Sequence, residues 1–338
     1  MKFSKKQIIF LVIVVAVALF LSSYKLPFYI QKPGGADELN PIVEVVNGFE
    51  SEGDMHLVTV RGGQASPIQY MFAKLLPYQD VLPLHQVRPE GVSEEEYIQA
   101  QLQMMDSSQE KAIVVAYEAA NGNISIEDNG VYVVSVLEGV PAAEILQMGD
   151  LIMAIDEIEI QRAEDLISYV ENKKSGDTIT VEFERNGEIH TEDILLSELE
   201  ELDNNVGIGI SLVTDRNVEV DPEVKFSSGR IGGPSAGLMF SLEIYDQLVE
   251  EDLTKGYEIA GTGEVDYEGN VMRIGGIDKK VIAADREGCD IFFAPNENGA
   301  SDSNYELAKE TAKEIETDMK IVPVDTFQDA LTYLEELE

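Results

Sequence analysis

Hydrophobic and polar positions divide this 338-residue chain into stretches of different period. From Ile8 to Leu21 the chain is apolar without interruption, and the apolar character extends through Tyr24, Leu26, Phe28 and Tyr29. That length approaches the ~20 residues a helix needs to cross a bilayer. The strict core is also short enough for the apolar region of a signal peptide. Phe20-Leu21-Ser22-Ser23 makes a poor small-x-small cleavage site, so the expectation is an uncleaved transmembrane signal anchor over 7–30. Lys2, Lys5 and Lys6 come at or before its start. The positive-inside rule then puts residues 1–6 in the cytoplasm and the remainder outside the cell.

After a break at Pro33-Gly34-Gly35-Ala36 the period falls to two. Ile42–Val46 and His56–Val60 alternate as strands do, with turns at Asn47-Gly48 and Glu52-Gly53. Prolines interrupt short apolar patches from Pro67 to Gln109, and a helix is expected from Ser93 to about Met105. Residues 31–111 thus read as an extracellular β-rich region. From 112 to 198 the pattern is that of a small module, with strands at Ala112–Tyr117, Gly130–Val136, Leu151–Ile155, Asp177–Arg185 and Glu188–Leu196. A short helix starts at Pro141-Ala142, an amphipathic one covers Ala163–Asn172, and Asn186-Gly187 is a turn. The fold class expected is α+β.

Charge narrows the partners. All 64 Asp and Glu follow the apolar run, against 24 Lys and Arg in the whole chain, for a formal net charge of −40. Such a surface repels nucleic acid and anionic headgroups, so no nucleic acid is expected and membrane attachment falls to the single N-terminal span. The lone cysteine, Cys289, excludes an intrachain disulfide and a cysteine-based metal site. It stands before the strand-like Ile291-Phe292-Phe293, as a buried structural thiol would. No cofactor and no metal site follow from the sequence. There is no Gly-Lys pair, hence no Walker A loop to cradle phosphates, and chemistry independent of ATP is expected.

Candidate chemistry starts at Ser235, in Ile231-Gly232-Gly233-Pro234-Ser235-Ala236-Gly237-Leu238. Small neighbours before an apolar run read as a tight loop entering a helix. There a substrate backbone can come close, and free N–H groups can stabilise an oxyanion. A serine N-cap after a turn fits the same residues. A nucleophile needs a base, and the three histidines, His56, His85 and His190, sit in strand-like or loop segments away from any catalytic context. A neutral lysine can serve instead. Arg273-Ile274-Gly275-Gly276-Ile277-Asp278-Lys279-Lys280-Val281-Ile282 offers one, with Asp278 as N-cap and Lys280 in the first helical turn. Both the helix dipole and the apolar neighbours disfavour a cation there. An exposed lysine on an amphipathic helix is the plainer alternative.

In order and spacing, Gly233-Pro234-Ser235-Ala236-Gly237, Thr262-Gly263-Glu264-Val265, Gly269-Asn270-Val271 and Gly275-Gly276-Ile277-Asp278-Lys279-Lys280 resemble the proteolytic domain of Lon-type proteases, over 203–338. The resemblance implies a Ser–Lys dyad of Ser235 and Lys280. It gives Thr262 a supporting role in orienting the lysine, with Gly233, Pro234, Ala236 and Gly237 around the nucleophile. Many Lon proteases carry an acidic residue just before this run, where this chain has Gly232, a departure that bears on regulation of the dyad.

Gly139-Val140-Pro141-Ala142-Ala143 followed by Met148-Gly149-Asp150-Leu151-Ile152 resembles a bacterial PDZ domain, over 112–198. The resemblance implies peptide capture by strand addition, in a groove along Val131–Val136 and the helix Ala163–Asn172. Gly130, Val131, Tyr132 and Val133 would line it. An anchor, a PDZ-like module and a Lon-like domain together resemble the membrane-anchored PDZ–Lon proteases of Gram-positive bacteria. They imply an ATP-independent serine endopeptidase acting on exported peptides, unfolded proteins or exposed segments of extracytoplasmic or membrane proteins. Homo-oligomerisation stays open. So do two other readings, a membrane-tethered PDZ scaffold with an inactive protease domain and a Ser–Lys amidase.

Overall fold

A computed structural model describes residues 5–88, 92–137, 139–199 and 205–337. Residues 1–4, with Lys2, and the start of the expected protease region at 203 lie outside the described residues. The first apolar run forms one helix, α1 (Lys5–Ser23), long and apolar enough to cross a membrane by length and composition. The chain divides into two compact units, Met1–Asn123 with Val220–Glu338, and Ile124–Glu219 inserted between them.

The first unit opens with β1 (Phe28–Glu38), β2 (Val43–Val45), β3 (Asp54–Gln64), α2 (Pro67–Ala73), β4 (Asp80–Pro83) and α3 (Glu94–Ala119). The break expected at Pro33–Ala36 is instead an irregularity inside β1, where its register against β3 shifts. Gly34 permits this, because a Cβ there would lie 2.4 Å from the Thr59 carbonyl oxygen. The strand expected over 112–117 is also corrected, since those residues are the last turns of α3. Ser93 and Glu96 form a capping box that starts the helix, and Met105, Ser108, Ala112, Val115 and Ala116 recur on one buried side. Helical period there overrides the β preference of Ile113, Val114 and Val115.

The inserted unit contains β5 (Asn123–Val136), β6 (Leu151–Ile155), β7 (Ile158–Glu159), α4 (Ala163–Glu171), β8 (Thr178–Arg185), β9 (Glu188–Leu195), β10 (Ser197–Leu199), β11 (Asn205–Gly207) and β12 (Ile210–Asp221). Its sheet runs β12-β5-β6-β8-β9, with β7 beside β6. Val131, Ile152, Ile179, Phe183 and Ile194 fill its core. The fully buried Asp150 carboxylate is held by Arg185 at 2.7 and 2.6 Å, so no unpaired charge is left inside.

The chain then returns to the first unit with β13 (Val224–Phe226), α5 (Gly237–Leu248), β14 (Glu258–Gly261), β15 (Glu264–Val265), β16 (Val271–Met272), α6 (Ile277–Glu287), β17 (Ile291–Pro295), α7 (Asn304–Glu314), β18 (Lys320–Val324) and α8 (Phe327–Glu335). One six-stranded sheet, β18-β17-β14-β3-β1-β4, joins the two halves. β3 is parallel to β14, and β1 and β4 extend the sheet antiparallel. Strands from 31–111 therefore complete the sheet of the later residues and form none of their own.

α5 is buried along nearly its whole length, polar residues included. Gln247 accepts from the Val45 N–H at 2.7 Å and donates to the Val43 carbonyl and to Glu243, which fixes β2 on the helix. Burial pushes the Glu243 carboxyl up to about 8, against the Gln247 bond and helped by Asp246 and Asp54. Folded Glu243 thus keeps its proton between its unfolded value of ~4.3 and about 8, where the unfolded chain has lost it. Stability contributed by this group falls as pH rises through that window, by ~1.4 kcal/mol per unit at most, and is level above it. Glu243→Gln should flatten the dependence of Tm on pH between 5 and about 8, as thermal melts across that range would show.

Candidate active site

Two glycines shape the serine loop. Gly233 has φ +96°, a left-handed value, and Gly237 starts α5 so close to β15 that a Cβ would meet Val265 at 2.8 Å. Ser235 sits between them. Its carbonyl accepts from the Thr262 hydroxyl at 2.9 Å and from the Gly263 N–H at 3.1 Å, which ties the loop to the end of β14. α3 holds the loop from the other side. Gly233 N–H donates to the Gln101 carbonyl at 2.8 Å, and Ser108, itself buried, donates to the Pro234 carbonyl at 2.9 Å. The N–H groups of Ser235 and Ala236 donate to no acceptor among the described residues. Ala236, rather than Ser235, is the residue at the N-cap of α5.

The lysine helix is set differently from the sequence expectation. Gly276, in a left-handed conformation at φ +70°, is the N-cap of α6, and Asp278 lies within the first turn. The Asp278 carboxylate binds Lys279 at 2.8 Å instead of capping the helix. Lys279 also pairs with Asp80 of β4. Burial draws the Lys279 ammonium down, but Asp278 and Asp80 outweigh it and hold its pKa above the usual lysine value.

Lys280 is the opposite case. Its side chain is buried, and its Nζ lies 2.7 Å from Ser235 Oγ and 2.8 Å from Thr262 Oγ1. No carboxylate pairs with it among the described residues. Burial alone therefore lowers its pKa to about 7. The Thr262 hydroxyl spends its proton on the Ser235 carbonyl, so it presents a lone pair to Lys280. An N–H of the amine then points at Thr262, and the amine lone pair is left for the Ser235 hydroxyl. Three residues from three segments meet, as a nucleophile, a base and an orienting group would.

Ser235 and Lys280 open on a cavity of about 680 Å³ lined by Tyr29, Val58–Gly62, Tyr97, Leu102, Arg230 and Ile231. None of the three histidines lines it. Neither α3 nor β3 could be assigned to this site from sequence, because their contacts lie more than a hundred residues from the serine.

In the inserted unit the expected groove is corrected. β5 is paired on both sides, by β12 and β6, and has no free edge for an added strand. Val131 and Val133 are buried in the core, Tyr132 is exposed on the sheet, and Gly130 packs so closely that a Cβ would lie 2.7 Å from the Ile152 carbonyl oxygen. The sheet ends at β12 and at β9, and β12 is the edge that follows the residues facing α4. A cavity of about 900 Å³ lies between α4, as expected, and Asn205–Ile210 with Leu212. The N–H groups of Ile208 and Gly209 find no acceptor there among the described residues. The alternation Val206-Gly207-Ile208-Gly209-Ile210 was the available signal, beyond where the sequence pattern ended the module.

Residues 102–196 match the family model of the PDZ domain, and residues 207–335 that of the Lon protease (S16) C-terminal proteolytic domain. A Lon protease of Aster yellows witches'-broom phytoplasma is 28% identical over 129 residues, 38% of this chain and 15% of that protein. One of Campylobacter jejuni is 36% identical over 101 residues, 30% of this chain and 12% of that protein. The chain thus matches a small part of the length of these relatives. The crystal structure of the PDZ domain of an SdrC-like protein from Listeria monocytogenes is 38% identical, covering 25% of this chain and 88% of that one, with a TM-score of 0.24.

With Lys280 near 7, peptide hydrolysis should rise through about pH 7 and level off well below pH 10, read as kcat/KM against pH. Thr262→Val keeps the shape and removes the hydroxyl, so kcat should drop roughly 10- to 100-fold with KM little changed, the cost of one buried hydrogen bond.

Proposed function

We propose that this chain, which carries a PDZ domain and the C-terminal proteolytic domain of Lon proteases, is an ATP-independent serine endopeptidase with a Ser235–Lys280 dyad. The observation that carries the reading is the buried, unpaired Lys280 amine 2.7 Å from Ser235 Oγ. Ser235 attacks the peptide carbonyl, and neutral Lys280 takes its proton and passes it to the leaving amine. The N–H groups of Ser235 and Ala236 hold the oxyanion. Water, deprotonated by the same lysine, then releases the acyl group.

Substrate enters as an extended strand. Pairing of β3 with β14 ends at Leu57, and the following residues of β3, Val58–Gly62, line the cleft with that edge open. Their main chain can pair with any sequence, so peptides, unfolded segments and exposed loops are the substrate class. Longer substrates are recruited by the groove between α4 and β12, where the Ile208 and Gly209 amides suit a terminal carboxylate. α1 is the membrane anchor, with the positive side inward and both units outside the cell.

Ser235→Ala and Lys280→Ala should each abolish peptide hydrolysis, with the double variant scarcely worse than either, because nucleophile and base act as a unit. Labelling of Ser235 by a fluorophosphonate separates this enzyme from an inert scaffold, and mapping of cut peptides separates it from an amidase. Full activity in Ser235→Ala sinks the reading. Ile167, exposed on α4 in the groove, tests recruitment. Ile167→Glu should raise KM for long substrates several-fold and leave short peptides unaffected, since tethering acts on ground and transition states alike.

A further inference from the structure

α2 is apolar on two opposite faces, and only one of them is covered. Tyr70 and Ala73 pack inward with Leu26, Phe28, Ile30 and Ala65. Ile68, Met71, Phe72 and Leu75 recur at helical spacing on the other side, and with Leu76 they are 41–78% exposed. A soluble surface rarely leaves so many large apolar side chains together without a partner.

The position of this patch identifies the partner. α1 and α2 touch, and the exit from α1 is fastened to the start of α2. Leu26 N–H donates to the Ala65 carbonyl at 2.8 Å, Gln64 donates to the Leu26 carbonyl at 2.9 Å, and the Phe28 and Tyr70 rings meet at 4.9 Å. Tyr24 just past α1, Lys25 next to it and Lys74 at the end of α2 have the character of residues at the level of lipid headgroups. Charge agrees. In a chain with 64 acidic residues, none precedes Asp37 and none lies between Asp54 and Asp80, so the segment around α2 is free of the repulsion that the rest would feel.

We propose that the outer face of α2, with Leu75 and Leu76, is a second membrane contact that lies in the headgroup region of the bilayer crossed by α1. The proposal rests on the reading of α1 as the anchor. The occupant is lipid, because a face continuous with a membrane-spanning helix meets the bilayer before any protein. Two attachment points, one spanning and one lying flat, would then fix the orientation of the catalytic unit on the surface. Tyr29, in the cleft, is one residue from Phe28 beneath α2, so the cleft would stand close to the membrane.

The chain has no tryptophan, so a single replacement is a clean reporter. Full-length Leu75→Trp, Ile13→Trp and, as a control on an exposed site of α7, Leu307→Trp are reconstituted into vesicles of equal parts phosphatidylcholine and phosphatidylglycerol. Lipids brominated near the headgroup or deep in the chain then quench by depth. Leu75→Trp should lose most of its emission to the shallow quencher, Ile13→Trp to the deep one, and Leu307→Trp to neither. Quenching at 13 without quenching at 75 overturns the proposal and leaves the anchor intact. Quenching at neither overturns both. Blue-shifted but unquenched emission at 75 also overturns it, by assigning the patch to protein, such as a second copy of this chain.

Discussion

A lysine amine kept from water, with no carboxylate among the described residues to neutralise it, is the constraint on which the rest of the larger unit depends. Among the described residues, Lys280 reaches two hydroxyls, those of Ser235 and Thr262. A carboxylate in their place would stabilise the ammonium and remove the base. The neighbouring Lys279 does have such partners, Asp278 and Asp80, and remains charged. Adjacent residues of one helix thus have opposite protonation preferences, and the difference lies in which side of α6 meets the acidic groups. In a chain of net charge −40, holding carboxylates away from one buried amine is a demanding requirement of the fold.

The helices carry that requirement into packing. The left-handed Gly276 sets where α6 begins, and a Cβ on it would lie 2.9 Å from Val60 of β3, so the lysine helix rests closely on the strand that lines the cleft. α3 buttresses the serine loop through Gln101 and Ser108, although it precedes the matched proteolytic region in the chain. The geometry around Ser235 and Lys280 is therefore distributed over parts of the chain that a match to residues 207–335 does not include.

What could be read in the sequence was whatever local rules control. The apolar helix, the strands of the inserted unit, the α4 helix and the meeting of Ser235, Lys280 and Thr262 were legible, the last through motif order. Ala112–Tyr117 misled because β-branched residues prefer strands, while the burial that makes them helical comes from distant contacts. Asp278 looked like a cap, but its carboxylate binds the neighbouring Lys279, which also pairs with Asp80, 199 residues before that lysine. The resemblance placed the groove on β5, and strand pattern does not reveal which strand is at a sheet edge. That depended on β12, which lies beyond residue 198, where the sequence reading ended the module.

The insertion of one unit inside the other has a consequence for the order in which the protein is made. β3 pairs with β14, and Asp54 faces Glu258 across some two hundred residues of intervening chain. Such a contact is among the costliest to close in an unfolded polymer. The inserted unit emerges complete before β14 exists and can fold by itself, drawing Asn123 and Val220 together through neighbouring β5 and β12. The long loop then becomes a short one. Until β3 joins β14, Val58–Gly62 have no place beside Ser235 and Lys280, so the cleft forms only when the outer unit closes. The inserted unit is thereby placed to shorten the loop that the outer unit must close.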